Sequence, residues 1–116
     1  MGTAALTQAV TYILLSLVSP LHGYGIMQNV RALSGGRVQL AAGTLYGALS
    51  TLLEKGWIRA LSGEADRHRK EYCITPAGMQ ALREELARLQ ELVATGTRVL
   101  GNDAAFPQGM EDSKTE

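Results

Sequence analysis

Apolar residues recur every three or four positions along most of the first hundred residues, and that spacing predicts helices. Over 6–17, Leu6, Val10, Ile13, Leu14 and Leu17 follow one face, while Tyr12, Leu15 and Val18 lie on other sides. A helix apolar nearly all round is buried on more than one side. Either it is central to the fold or its second face meets another chain; the pattern leaves both open. The run SPLHGYGI at 19–26 reads as a connection, followed by a second helix with Ile26, Met27, Val30 and Leu33 inward. SGGR at 34–37 closes that helix, because glycine supplies the left-handed conformation of a helix end. VQL at 38–40 is at most a very short strand. AAGTLYGALSTLLEKGWI at 41–58 then gives a third helix with Ala42, Leu45, Leu49, Leu52 and Leu53 on one face and Gly56 as its stop.

The opposite face of that third helix holds Gly43, Gly47, Ser50 and Thr51. A glycine in mid-helix costs roughly 1 kcal/mol against alanine, so stability alone does not explain Gly47. Two short strands follow, at 57–61 and 71–75. The polar SGEADRHRK between them is too long for a tight hairpin turn and predicts a protruding loop. Thr75 caps a long fourth helix, with Pro76 suited to its first turn. Along it Met79, Leu82, Leu86, Leu89, Val93 and Leu100 keep alternating three–four steps, interrupted only at Gly96. Such a seam is coiled-coil-like. Residues 101–116 have no periodicity and a charge of −3, which predicts a disordered acidic tail. The expected fold is mostly α with a small β-hairpin: a winged helix-turn-helix over 5–75, then a dimerisation helix over 76–100.

Charge sharpens this picture. The chain is formally neutral, but residues 1–75 carry seven Lys/Arg against four Asp/Glu and residues 76–116 carry four against seven. A mildly basic body and an acidic end fit a nucleic-acid partner without requiring one. Cys73, the single cysteine, sits in a predicted strand as a small buried thiol. The apolar run 13–18 is far shorter than a membrane span and has no basic segment before it, so the expected setting is the cytoplasm, with no membrane partner. His22, His68 and Cys73 match no metal-ligand spacing, and no phosphate loop or Ser/His/Asp pattern occurs. Neither an enzyme nor a metal or cofactor is therefore expected, and His22 is read as satisfying a turn.

A winged helix-turn-helix places its third helix in the DNA major groove. Gly43, Thr44, Tyr46, Gly47 and Ser50 are the candidate contacts there: the glycines allow close approach, and the hydroxyls reach phosphate oxygens. Tyr46 lies at the core boundary, so its ring is open to either packing or contact. Arg67, His68, Arg69 and Lys70 would look like a solvated loop by themselves; between two strands and after such a helix they read as a DNA-contacting wing. Arg37, just ahead of the third helix, is a further phosphate candidate. The seam Leu82, Leu86, Leu89 and Val93, together with Tyr12 and Leu15, offers more apolar surface than one chain covers, which predicts a homodimer. The rival reading is a winged-helix protein-interaction module that does not read DNA.

LHGYGI (21–26), GTLYGAL (43–49), LLEKGWI (52–58) and RKEYCITPAG (69–78) resemble the PadR family of transcriptional regulators, over roughly residues 6–100. The resemblance implies a homodimeric winged-helix repressor of the compact type with one C-terminal helix, acting on a pseudo-palindromic double-stranded operator. The family usually has serine and proline where this chain has Ala41 and Ala42, so its third helix lacks the expected side-chain cap. It also favours proline at 47 and an aromatic at 71, where this chain has glycine and glutamate. Some compact relatives grip flat apolar drugs between aromatic side chains of the last helix. Residues 76–100 hold no aromatic, which leaves only a small apolar effector in a leucine-lined cavity.

Overall fold

The computed structural model describes residues 5–61 and 70–101. Seven elements follow in chain order: α1 Gln8–Ser16, β1 Leu21–His22, α2 Gly23–Leu33, α3 Ala42–Lys55, β2 Ile58–Leu61, β3 Glu71–Ile74 and α4 Pro76–Leu100. Local chemistry sets most of the boundaries. Thr7 caps α1, its Oγ1 accepting from the Val10 amide at 3.1 Å. The α2 helix unwinds through Gly35 and Gly36, both at positive φ, with the Gly36 amide donating to the Arg31 carbonyl at 2.8 Å. Gly56, at φ 76°, closes α3. Thr75 Oγ1 accepts from the Gly78 amide (3.1 Å) and donates to the Gly56 carbonyl (2.6 Å), so one hydroxyl joins the end of α3 to the start of α4.

The sheet is antiparallel with order β1-β3-β2. Ile58 pairs with Ile74 and Leu61 with Glu71, giving the hairpin read from sequence. The extra strand is β1, where Leu21 pairs with Tyr72 and His22 with Glu71. The sequence pattern predicts plain connection for this two-residue piece; only its distant partner makes it a strand. Residues 38–40, expected to be at most a very short strand, form none.

The core joins Ile13, Leu14 and Leu17 of the α1 segment, Ile26 and Val30 of α2, Leu45, Leu49 and Leu52 of α3, and Ile58, Tyr72 and Leu82. Burying a side chain of this size contributes about 1.5–3 kcal/mol. Buried Ser16 is satisfied in place, donating to the Tyr12 carbonyl (2.9 Å) and accepting from Asn29 of α2 (3.1 Å). Several inward assignments are corrected. Leu33 is exposed because the turn after it buries Ser34 instead, whose Oγ accepts the Val38 amide at 2.9 Å. Ala42 and Leu53 are exposed at the edges of the α3 stripe, and half-buried Ala48 takes a place in the packing. Cys73 is a half-buried free thiol and not a buried one, because strand alternation turns it to the face opposite buried Tyr72.

The chain divides into two compact units, Met1–Glu85 and Leu86–Glu116. The first includes the opening turns of α4, where Gly78, Ala81, Leu82 and Glu85 are buried. Among the described residues no helix is long and apolar enough to cross a membrane.

Candidate nucleic-acid interface

The two faces of α3 are cleanly divided. Leu45, Leu49 and Leu52 are fixed in the core, while Gly43, Thr44, Gly47 and Ser50 are exposed. A Cβ built on Gly43 or Gly47 would meet nothing within 4 Å, so the backbone itself is the surface there. Thr51 bends back, its hydroxyl donating to the Gly47 carbonyl at 3.3 Å. At the helix start, Ala41 is extended and offers no side-chain cap, and the first turn has no acidic residue. The positive end of the helix is thus unneutralised, a setting that favours an anion such as a phosphate.

Tyr46 packs against α2 and keeps part of its surface exposed. Its ring crosses to α2 and rests against Gly23, with Cζ 2.8 Å from where a Cβ on Gly23 would lie, yet the residue remains partly exposed. The contact fixes the first turn of α3 against the first turn of α2. Arg37 is exposed in the turn between those helices, where its amide donates to the Ser34 carbonyl at 3.2 Å.

Of the wing, Lys70 is half-buried at the foot of β3; Arg67, His68 and Arg69 lie outside the described residues, as does the acidic stretch 102–116. His22 does not serve a turn through its side chain. Its Nε2 lies 3.8 Å from Glu71 Oε2 across β1 and β3, and it gives α2 no side-chain cap. Glu71 therefore has a neighbour on the strand that sequence did not reveal. Two exposed groups were not singled out: Arg59, which strand alternation places opposite buried Ile58, and Tyr24, whose hydroxyl accepts from Gln28 at 3.3 Å. Among the described residues no cluster of His, Cys, Asp or Glu could hold a metal.

The model of the transcriptional regulator PadR-like family matches residues 13–84. The chain belongs to this family. The PadR-like regulator is also 40% identical over 73 residues to an uncharacterized 37.1 kDa protein in transposon TN4556 of Streptomyces fradiae, a match covering 63% of this chain and 20% of that protein. It thus spans about a fifth of that relative's length. Among solved structures it resembles a transcriptional regulator from Clostridium thermocellum, with 26% identity, a TM-score of 0.68, and 80% of this chain and 90% of that one covered. A PadR family transcriptional regulator from Eggerthella lenta gives 26% identity and a TM-score of 0.64, covering 78% and 80%. The mostly helical winged helix agrees with this membership, and the family is one of transcriptional regulators.

The residues expected to pair two copies fall into three groups. Tyr12 and Leu15 are half-buried and pack against the core of their own chain. Leu82 is corrected: at 3% exposure it is a core residue, because α4 begins inside the winged-helix unit. Leu86, Leu89 and Val93, at 39%, 36% and 66%, remain uncovered on the rest of the helix.

Proposed function

We propose that this regulator is a homodimeric repressor of a pseudo-palindromic operator. In this reading α3 enters the major groove, and the basic wing over 62–70 touches the backbone or the adjacent minor groove. The division of α3 carries the proposal: a buried leucine stripe holds the helix rigidly while a small, acid-free face turns outward over its first two turns. Pairing through Leu86, Leu89 and Val93, and through Tyr12 and Leu15 of α1, would cover the seam. Two-fold symmetry would then set the recognition helices about 34 Å apart, one turn of DNA. Release by a small apolar effector belongs to the same proposal.

The test is titration of the pure protein onto the duplex upstream of its own gene at several salt concentrations. Binding that weakens steeply and linearly on a log–log plot is expected, because each neutralised phosphate releases counterions. No binding, or binding indifferent to salt, would transfer the fold to the protein-interaction reading.

A further inference from the structure

Residues 1–53 hold only two formally charged side chains, Arg31 and Arg37, and both flank the turn that ends α2. An open hollow of about 420 Å³ lies beside that turn, lined by Gln28, Arg31, Ala32, Gly35 and Gly36. We propose that this hollow seats a phosphate of the operator backbone, outside the contacts assigned to α3 and the wing. Arg31 is exposed, and among the described residues it forms no ion pair. No carboxylate precedes Glu54 in the chain, so α1, α2 and the first turns of α3 offer it none. Tyr24 and Gln28 precede it on the same exposed row, at the four- and three-residue steps of one helical face. The Tyr24 hydroxyl accepts from Gln28 Nε2 at 3.3 Å, which leaves its own O–H to donate. The guanidinium adds a fork of donors suited to phosphate oxygens.

The row lies on the side of α2 next to α3. At about 100° per residue, Tyr24 and Arg31 stand about 100° and 80° around the helix from Gly23, the position that meets Tyr46 of α3. They stand about 140° and 160° from Asn29, which donates to Ser16 of α1. The row therefore borders α3 and points away from α1. Gly35 and Gly36 add no side chain to wall the hollow off, and their amides are taken by the Ala32 and Arg31 carbonyls at 3.2 and 2.8 Å. Side chains must then do the binding. A helix C-terminus carries roughly half a negative charge, which opposes an anion; two full positive charges outweigh it. This contact rests on the operator reading above and extends it to α2.

The test uses the full chain on the duplex upstream of its own gene, by fluorescence anisotropy over a salt series and by phosphate ethylation interference. Arg31→Ala should weaken operator and unrelated duplexes alike, by about tenfold at low salt, the scale of one charged hydrogen bond. The slope of log K against log salt should become shallower by about 0.9 for each half-site. Alanine is a good helix former and the side chain is exposed, so folding should be unaffected. Arg31→Lys should retain most of the slope, because lysine also neutralises a phosphate. Arg83→Ala removes an exposed arginine from α4 and should change neither quantity. Ethylation should block wild type at one phosphate of each half-site where Arg31→Ala is indifferent to it. A general effect of charge or folding would leave no such mark on a single phosphate. Wild-type affinity, slope and ethylation pattern in Arg31→Ala overturn the site, as does an equal effect of Arg83→Ala. In either case, steep salt dependence in wild type leaves the operator reading standing. A wild type that binds no duplex overturns both.

Discussion

The phenol of Tyr46 occupies the space that a side chain on residue 23 would need, so Gly23 and Tyr46 are one fitted pair joining the starts of α2 and α3. Gly23→Ala would push the ring outward, which Tyr46 can accommodate because it already reaches solvent. A cost of about 1 kcal/mol is expected, the low end for overpacking, together with weaker operator binding as the hydroxyl shifts. In a Tyr46→Ala background the same substitution should become neutral or stabilising, since alanine is the better helix former by about 0.8–1 kcal/mol. Urea unfolding of the four proteins measures this. An equal cost in both backgrounds would show that the ring is not what requires glycine.

Gly78 is constrained by backbone rather than by a movable ring. A Cβ there would run into the Trp57 carbonyl, with Trp57 C and Ile74 Cγ1 each at 2.9 Å. That carbonyl is held in place by the Thr75 amide at 2.9 Å. Gly78→Ala should therefore cost about 3 kcal/mol, the upper end of overpacking, and clearly more than Gly23→Ala. Thermal unfolding compares the two; a milder effect at 78 would mean that the start of α4 can move away from β2.

The features legible in the sequence were those that depend on near neighbours. Leu45, Leu49 and Leu52 announce the buried stripe of α3, and Thr75, Pro76 and Gly56 announce the ends of their helices. Ala41 announces an uncapped helix. What escaped depends on partners far along the chain. Leu21 and His22 become a strand only through Tyr72 and Glu71. Leu82 and Leu86 look alike on one helical seam, yet one is buried and the other exposed. Periodicity names a face but cannot say where the covering element stops. Likewise, Lys55 and Trp57 read as helix end and strand start; their stacking across Gly56 is visible only once the turn is built.

The wing is tested by charge. Replacing Arg69 and Lys70 together with alanine should weaken binding similarly on operator and unrelated duplexes, because phosphate contacts carry no sequence information. If each contacts one phosphate, the slope of log K against log salt should become shallower by about 0.9 per contact. Fluorescence anisotropy at four or five salt concentrations reads both quantities. Unchanged affinity and slope would remove the wing from the interface.

The pairing of two copies is tested most sharply by two leucines on one seam. Leu82 is 3% exposed within its own chain, whereas Leu86 is 39% exposed. Leu82→Asp buries a charge without a partner in the core, and the expected result is an unfolded protein. Leu86→Asp leaves the core intact and places the charge only where a second chain would lie. It should therefore keep its helical circular dichroism, sediment as a monomer where wild type sediments as a dimer, and lose tight operator binding. That loss follows because two half-sites are no longer held by one molecule. Should Leu86→Asp still sediment as a dimer, or wild type run as a monomer at micromolar concentration while holding a palindromic site tightly, the seam is not the interface.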